Sequence, residues 1–585
     1  MKSLFRQARS AATTAVAAAA LLLAAIDVSV WLPLALAGAS LVAVLVFLRR
    51  RLRGTGTRAL GGYAPARSIV AATVVVCLGR TELDVANAFA TCAAVVALVL
   101  MPFEPAAGSI WRAGTRTVAN LPGVELDTFA RRRGATVVVL SSSIVLACAG
   151  VSVYVPTLGF VAAAGALALG AAAGWWTLDA IRRRPTLAGR LSAGLEAYGA
   201  PVMIYLSGPG GTEYQLGVWG KQFEELGLKA VVVVRETTLA HKVASMTPLP
   251  VVGASSLSDL EVVHVPSFRV CLYVNNGTKN THNVRYGDLT HVQLLHGDSD
   301  KPSSFNPVTA MFDKVFVAGQ AGIDRYWNHG IPIPREKFEI VGRPQVADIQ
   351  RAVVPRDPAK PFTVLYGPTW TGFNSDNNFG SLHAGATIVS GLVRRGWTVI
   401  FRPHPFSLRD AVSRGHIAAI EDVLRADAAA SGRAHVFGEE ASATMTLVDC
   451  FNASDALVSD VSSVPADYLY SEKPFVITQV GDAPLDEFLA EFALGRAAYV
   501  ARTSDPASVE VALDGLGNDT MLDVRREMRT YYLGDIPRVT YAETFPAAVR
   551  ALVEANAVPV EAQVRVDRSA AEPTDAVQDA EDEDD

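Results

Sequence analysis

The residue pattern most suggestive of chemistry is a histidine, His296, at the end of the apolar stretch 292–295. An imidazole titrates near neutral pH and can remove a proton from a hydroxyl group. Asp298 lies two residues further on and could orient the ring, and Lys301 could meet a phosphate. The same pattern would also suit a hydrogen-bonded loop histidine that has no catalytic role.

Three histidines in this part of the chain raise the question of a metal site. His282, His291 and His296 are separated by nine and five residues, with no cysteine nearby. Those spacings fit no common zinc-binding pattern. The sequence therefore predicts no metal and no other cofactor.

Two further predicted strands end in side chains that could hold an activated substrate. One leads into a turn that contains Thr369 and Trp370, where hydroxyl groups could hold a nucleotide phosphate. The next leads to Arg402 and His404, a cation and an imidazole at a strand end. Prolines on both sides of His404 restrict its backbone. Arg402 could equally be an ordinary surface residue.

The fourth cluster follows a buried strand predicted at 456–459. It contains Asp460, then Ser462 and Ser463 at the expected start of a helix, then Asp467. Free N–H groups and the helix dipole favour a phosphate at such a position. Ordinary N-capping by one of the serines is the structural alternative.

The elements that must position these four clusters are alternating strands and helices. Strands are predicted at 201–206, 229–235, 269–275, 291–295, 314–318, 338–341, 362–366, 397–402, 435–437, 456–459 and 474–478, with an early helix at 213–226. This alternation is typical of parallel sheets covered on both faces. We predict two doubly wound domains, 195–351 and 362–556, joined by a proline-containing hinge. Ligands of such sheets bind at the carboxyl ends of the strands.

The first 185 residues differ in composition from the rest. They contain 18 Lys and Arg against 7 Asp and Glu, whereas the remainder contains 34 against 51. Because the basic residues lie between apolar runs, the pattern indicates a membrane region and not a nucleic-acid binder. Six spans are predicted, at 11–29, 31–48, 67–80, 86–103, 135–155 and 158–178. The first could instead be a signal peptide, although the second follows it at once.

The loop charges predict an orientation. Six spans place all the arginine clusters on one side, which the positive-inside rule makes cytoplasmic. The expected location is a multi-pass cell-membrane protein with a cytoplasmic catalytic domain. The spans contain almost no ionisable residues, so an anchor or platform is favoured over a transporter. At the other end, residues 560–585 are strongly acidic and are predicted to be a disordered tail.

The four clusters together resemble a known family. His296-Gly-Asp-Ser-Asp-Lys301, Gly367-Pro-Thr-Trp370, Arg402-Pro-His-Pro405 and Asp460-Val-Ser-Ser-Val-Pro-Ala-Asp467 follow, in order, the motifs of the CDP-glycerol glycerophosphotransferases that build teichoic acids. The resemblance covers roughly residues 200–500. It departs from the family at Asp298, where threonine is usual, at Val461, where tyrosine is usual, and at Arg343, which lies two places earlier than expected.

The resemblance implies a GT-B fold, in which two Rossmann-like domains hold a donor in the cleft between them. It implies that His296 is the catalytic base and that His404, Thr369, Ser462, Ser463 and Asp467 touch the donor. Asp298 and His404 complete the expected catalytic set. The remaining residues expected to bind substrate are Gly297, Lys301, Arg343, Trp370, Arg402 and Asp460.

The expected function is a membrane-anchored transferase. It would move glycerol phosphate, or a related polyol phosphate, from a CDP-linked donor to a hydroxyl of a lipid-linked cell-wall polymer precursor, releasing CMP. Its expected partners are that donor, that acceptor and membrane lipids, with no nucleic acid. The alternatives are a GT-B glycosyltransferase that uses a nucleotide sugar and a non-catalytic membrane scaffold with a GT-B-like domain.

Overall fold

The structure is a computed structural model that describes most of the chain. It covers residues 2–556, with gaps at 27–28, 53–62, 83, 105, 108–109, 111–116, 125–133, 298, 302–303, 354–355, 358 and 373–377. The predicted acidic tail and the position of Asp298 lie outside the described residues, as does part of the predicted hinge.

Within its described residues, the N-terminal part of the chain forms six apolar helices. They are α1 (Lys2–Ala25), α2 (Trp31–Leu52), α3 (Ala64–Gly79), α4 (Val85–Leu100), α5 (Gly134–Val151) and α6 (Thr157–Tyr198). Among the described residues, four segments are long and apolar enough to cross a membrane: Gln7–Ala25, Trp31–Leu48, Val85–Phe103 and part of α6. The helix α3 has 16 residues, or about 24 Å at 1.5 Å per residue, short of the roughly 30 Å of hydrocarbon. By length the structure supports four of the six predicted spans, and the crossings at α3 and α5 stay predictions.

These helices pack through small side chains. Ala71, Ala90 and Ala94 are buried in one shared core. Where α4 meets α6, a Cβ atom on Gly159 would lie 2.2 Å from the carbonyl oxygen of Ala86, so only glycine fits there. Small residues let helix backbones approach closely, which is the usual way membrane helices associate.

The first α/β domain contains an eight-stranded sheet. Its strands are β1 (Thr117–Ala119), β2 (Val202–Leu206), β3 (Ala230–Val234), β4 (Val251–Gly253), β5 (Val270–Tyr273), β6 (Thr290–Gln293), β7 (Lys314–Val317) and β8 (Phe338–Ile340). The order is β1-β4-β3-β2-β5-β6-β7-β8, and only β1 is antiparallel. Its helices are α7 (Glu213–Gly217), α8 (Gly220–Glu224), α9 (Thr237–Val243), α10 (Leu257–Val263), α11 (Thr281–Val284) and α12 (Gln320–Asn328).

The second α/β domain contains a five-stranded parallel sheet in the order β10-β9-β11-β12-β13. The strands are β9 (Thr363–Gly367), β10 (Thr398–Phe401), β11 (Ala456–Asp460), β12 (Phe475–Gln479) and β13 (Tyr499–Arg502). Its helices are α13 (Gly385–Arg394), α14 (Ala411–Ser431), α15 (Leu447–Ala453), α16 (Ser463–Tyr468), α17 (Leu485–Glu491), α18 (Pro506–Gly517), α19 (Leu522–Leu533) and α20 (Tyr541–Ala555). Two sheets of this kind are the predicted GT-B arrangement.

Several elements differ from the sequence prediction. The strands β1, β4 and β13 were not predicted, and the strand predicted at 435–437 is a single bridge between Val436 and Ile400. The helix predicted at 213–226 is broken between α7 and α8. Three-residue strands such as β1 and β4 are too short to show a period of two, so only their partners make them strands.

Two connections tie the parts of the molecule together. The strand β1 lies between α4 and α5 in sequence, yet it pairs with β4 at the edge of the first sheet. The helix α20 follows the second domain, but Phe545, Ala548 and Val549 are buried in the core of the first. The first domain is therefore in contact with both neighbours.

Candidate functional site

A cleft of about 1310 Å³ lies between the two α/β domains. It lies at the carboxyl ends of the strands on both sides, where parallel sheets bind ligands. Eleven of the residues expected at the site line it: His296, Gly297, Lys301, Arg343, Thr369, Trp370, Arg402, His404, Ser462, Ser463 and Asp467. The folded chain thus brings together four clusters that are up to 171 residues apart in sequence, from His296 to Asp467.

His296 is half-buried at the end of β6, and its hydrogen bonds indicate its tautomer. Its Nδ1 lies 3.3 Å from the carbonyl oxygen of Val274, which can only accept, so Nδ1 carries the proton. The other nitrogen, Nε2, is then an unprotonated acceptor. Burial lowers the pKa of His296 to about 4, and the charge of Arg343 acts in the same direction. At neutral pH the ring is therefore neutral and able to take a proton.

The position of His296 depends on a strained neighbour. Leu295 has a φ of 56°, in the left-handed region that a side chain rarely adopts. The indole Nε1 of Trp219 donates a 2.6 Å hydrogen bond to the Leu295 carbonyl oxygen and holds this conformation. The Val274 carbonyl and Trp219, both distant in sequence, therefore help to orient the His296 ring. The prediction that Asp298 orients this ring concerns a residue outside the described ones and stays a prediction.

Two residues beside His296 were not among those predicted from the sequence. The Tyr214 hydroxyl lies 3.4 Å and the Gln215 amide nitrogen 3.5 Å from His296 Nε2. The amide is oriented because the Gln215 oxygen accepts a 2.8 Å bond from Asn275 Nδ2. Tyr214 also contacts Phe406 of the second domain edge-on, at 5.6 Å between ring centroids. The glycine-rich turn at 208–211, just before Tyr214, was the available signal.

His404 lies on the opposite wall with the opposite hydrogen-bonding role. Its Nδ1 accepts a 3.1 Å bond from the Phe406 backbone N–H, so in the neutral ring the proton is on Nε2. Burial lowers the pKa of His404 to about 4, and the charges of Lys301 and Arg409 add to this. Trp370 stacks on the ring at 6.1 Å. His404 is therefore a neutral hydrogen-bond donor.

The two expected cations are positioned differently. Lys301 Nζ lies 3.4 Å from the Thr369 hydroxyl and 5.4 Å from the centre of the Phe379 ring. Burial lowers its pKa to about 8, so the amine stays charged at neutral pH. Arg402 lines the cleft, but its Nη1 donates to two backbone carbonyl oxygens, at 2.7 Å for Met445. It therefore also braces the loop that precedes α15.

Asp460 is a correction to the predicted substrate-binding set. It is fully buried beneath the cleft and does not line it. Its carboxylate accepts from the Thr369 N–H at 2.7 Å, the Ser381 N–H at 3.1 Å and the Thr478 hydroxyl at 2.6 Å. Asp460 therefore positions the turn that carries Thr369 and cannot reach a ligand, because the end of the strand is covered by that turn.

The remaining predicted residues lie where the two domains approach each other. The Ser462 hydroxyl accepts from the Val464 N–H at 3.3 Å, so it caps α16, as the structural alternative predicted. Ser463 faces Gly297, where an added Cβ would lie 3.3 Å from its hydroxyl. Asp467 forms a buried bidentate ion pair with Arg343 of the first domain. Both groups of this pair line the cleft.

Within the part of the chain that the structure describes, no group of three or more His, Cys, Asp or Glu residues could hold a metal ion. The cleft offers instead a neutral imidazole acceptor on one wall. On the other wall it offers an imidazole N–H, hydroxyl groups and an ammonium group. That combination suits transfer of a charged group to a hydroxyl.

Comparison with known proteins adds a family. Residues 335–482 match the family model described as CDP-Glycerol:Poly(glycerophosphate) glycerophosphotransferase. The match contains three of the four motifs. It begins at residue 335, so His296 and its motif precede it. No curated protein gives a sequence match to this chain.

Solved structures show only distant likenesses. The wall teichoic acid polymerase TagF is 14% identical, with a TM-score of 0.39, over 64% of this chain and 95% of its own. A glycosyltransferase from Rickettsia africae is 10% identical, with a TM-score of 0.38, over 61% and 98%. A putative UDP-N-acetylglucosamine 2-epimerase from Listeria monocytogenes is 12% identical, with a TM-score of 0.41, over 60% and 96%. The family match alone confirms the predicted resemblance: residues 335–482 are similar to the CDP-glycerol glycerophosphotransferases, in a chain whose N-terminal helices are apolar enough to suit a membrane.

Proposed function

We propose that this protein transfers glycerol phosphate from CDP-glycerol to a hydroxyl group of a lipid-linked acceptor and releases CMP. The observation that carries the proposal is the opposition of two neutral histidines across the cleft. His296 presents an unprotonated Nε2 from the first domain, and His404 presents an Nε2–H from the second. One can take the acceptor's proton while the other binds the donor's phosphate.

In the proposed step, the acceptor oxygen attacks the phosphorus that carries the glycerol. A new P–O bond forms to the acceptor as the P–O bond to CMP breaks, and the acceptor's proton moves to His296 Nε2. His404, Lys301 and Ser463 donate hydrogen bonds to the diphosphate, whose charge shifts towards the leaving group. Stabilising charge where it develops is where such a site gains most.

Placement at the membrane is the second part of the proposal. Four segments of the described chain are long and apolar enough to span a membrane, and α6 continues without a break to the start of the first α/β domain. Activated nucleotides are made in the cytoplasm, so we place the cleft there. Reporter fusions after Arg190 should report a cytoplasmic position, and a signal from the other side would overturn this placement.

The deciding experiment is donor identification. The purified chain in detergent, given an acceptor and a panel of CDP- and UDP-linked donors, should consume CDP-glycerol and release CMP in equal amount. Release of UDP from a nucleotide sugar would replace the proposal with the glycosyltransferase alternative. Turnover of no donor, with a donor bound, would favour the scaffold alternative.

A further inference from the structure

The cleft has a polar wall that none of the four motifs predicted. It is formed at the carboxyl ends of β2, β3 and β5 by residues 207–209, Glu236 and 275–279, which we call the β2–β3–β5 wall. Lys279 Nζ lies 2.6 Å from Glu236 Oε1, and the other oxygen of Glu236 accepts from the Gly208 N–H at 3.0 Å. The wall therefore presents a paired ammonium group and carboxylate to the cleft.

This wall belongs to the same hydrogen-bond network as the proposed base. Gln215 lies 3.5 Å from His296 and bonds through its oxygen to Asn275. Asn275 in turn donates to the Ser207 carbonyl oxygen at 2.9 Å. Apart from Lys301, the residues proposed to bind the donor's diphosphate lie in the second domain. The β2–β3–β5 wall therefore borders the proposed base on the side left for the acceptor.

The wall is built rigidly. A Cβ on Gly277 would lie 2.6 Å from the Ser207 carbonyl oxygen, so the two turns touch at backbone distance. Fully buried Asn280 donates a 2.7 Å bond to the Asn275 carbonyl oxygen. Because its backbone is held on both sides, the position of Lys279 is set before any ligand binds.

The strand ends that form this wall point towards the membrane helices. The helix α6 ends at Tyr198, and the next residue, Gly199, has a φ of 66° at the turn into β2. Leu191 and Leu195 of α6 pack in the same core as Met203 and Tyr205 of β2, so the strand runs back along the helix. The carboxyl end of β2 therefore lies closer to the membrane helices than its start does.

A second contact places these strand ends near the membrane-facing part of α6. Arg184 of α6 donates a 2.7 Å bond to Ser258 at the start of α10, immediately after β4. Arg184 lies nine residues, or about 13 Å along a helix, past exposed Trp175 at the end of the apolar part of α6. Tryptophan followed by arginine is typical of a membrane interface.

We propose that the β2–β3–β5 wall is the acceptor subsite and that Lys279 binds a phosphate of an acceptor anchored in the membrane. This inference rests on the proposed function. It adds a residue that binds the acceptor, and it adds that the acceptor enters the cleft from the membrane side. The pair of Lys279 and Glu236 is partly exposed, at 40% and 20% of the two side chains. Such a pair contributes little to stability, so an incoming phosphate can replace the carboxylate as the partner of the ammonium group.

The test compares acceptors that differ only in the phosphate. The probes are a glycerol phosphate dimer and uncharged diglycerol, each on one alkyl chain in phosphatidylcholine vesicles. In Lys279→Met the KM for the phosphate-containing acceptor should rise at least roughly tenfold, as expected for loss of a charge-assisted hydrogen bond. The KM for the uncharged acceptor and the Kd for CDP-glycerol should not change.

Three variants keep the test independent of folding. Lys279→Arg should restore most of the affinity because it keeps the charge. Glu236→Gln should lower the KM for the phosphate-containing acceptor, because it frees the ammonium group while retaining an oxygen for the Gly208 N–H. Lys314→Met is the matched control, since Lys314 bonds to the Glu336 carbonyl oxygen outside the cleft and should behave as wild type.

The outcomes separate this inference from the proposed function. Wild-type protein that does not bind CDP-glycerol would overturn the proposed function. If the wild type transfers glycerol phosphate but Lys279→Met leaves the KM for the phosphate-containing acceptor unchanged, the subsite alone is overturned. Equal rises in KM for both acceptors would have the same consequence. If the soluble dimer without an alkyl chain were used as efficiently as the vesicle-borne one, entry from the membrane would be wrong.

Discussion

The two walls of the cleft hold histidines of the same charge and burial but opposite hydrogen-bonding character. On the first wall, the carbonyl oxygen of Val274 accepts a hydrogen bond from Nδ1–H of His296, which leaves Nε2 as a hydrogen-bond acceptor. On the second, the backbone N–H of Phe406 bonds to Nδ1 of His404 and leaves a donor. The comparison shows that a neighbouring backbone group, and not the histidine itself, decides which proton-transfer role a ring can take.

The largest effect is expected when the unprotonated nitrogen of His296 is removed. His296→Ala should lower kcat by roughly 10²–10⁴-fold, because no other described group offers a bare nitrogen at that position. The Kd for CDP-glycerol, measured by calorimetry, should stay within twofold. His329→Ala is the matched control, since His329 stacks on Phe305 in the same domain outside the cleft. Near-normal turnover in His296→Ala would reassign the base.

Removal of the hydrogen-bond donor on the second wall, the Nε2–H of His404, should lower kcat somewhat less. His404→Ala removes one hydrogen bond to the charge that develops on the diphosphate, and removal of one such donor typically lowers kcat by roughly 10²–10³-fold. Unlike His296→Ala, this variant should also weaken binding of CDP in a competition assay. If His296→Ala and His404→Ala both lowered only kcat and left CDP binding unchanged, His404 would not bind the donor's diphosphate as proposed.

The serines of the second wall should affect binding more than turnover. Ser462→Ala combined with Ser463→Ala should raise the Kd for CDP-glycerol at least tenfold, since each hydrogen bond to a charged group contributes about 1.5–3 kcal/mol. The single change Ser463→Ala should account for most of this, because Ser462 already caps α16. Turnover should recover at saturating donor. An unchanged Kd in the folded double variant would place the diphosphate elsewhere.

The pH dependence of donor binding should follow Lys301. Burial lowers the pKa of its amine to about 8, so the positive charge is present below pH 8 and is lost as the pH rises through that value. The affinity for CDP-glycerol should therefore fall above pH 8, by up to about tenfold per pH unit. In Lys301→Met the affinity should be lower and independent of pH between 7 and 9. A flat profile in the wild type would exclude Lys301 from the diphosphate site.

The smallest change tests the network on the first wall. Gln215→Glu places a carboxylate where the amide lies 3.5 Å from His296 Nε2, which should raise the ring's pKa above its value of about 4. The acid limb of the kcat/KM profile should move to higher pH, with only a few-fold loss of rate at pH 7.5. Gln215→Leu should lose a similar amount of rate without moving the limb. Identical profiles for both would limit Gln215 to a packing role.

Position in the cleft could be predicted from sequence where polar residues directly follow apolar strands. His296, Thr369, His404 and Ser463 each follow one, and parallel strands bring their carboxyl ends to one edge. The same reasoning failed for Asp460, which looked identical in sequence. Whether such a residue faces the cleft or lies beneath it depends on the turns above it, which sequence alone does not reveal.

The sequence by itself determined the apolar helices, the two α/β domains and the family resemblance, because each depends on local periodicity or on short motifs. Only the tertiary structure decided the tautomer of His296, the partnership of Gln215 with Asn275, and the addition of β1 to the first sheet. These depend on contacts between residues tens to more than a hundred positions apart. No local pattern encodes such contacts, because they arise only when packing brings distant backbone groups together.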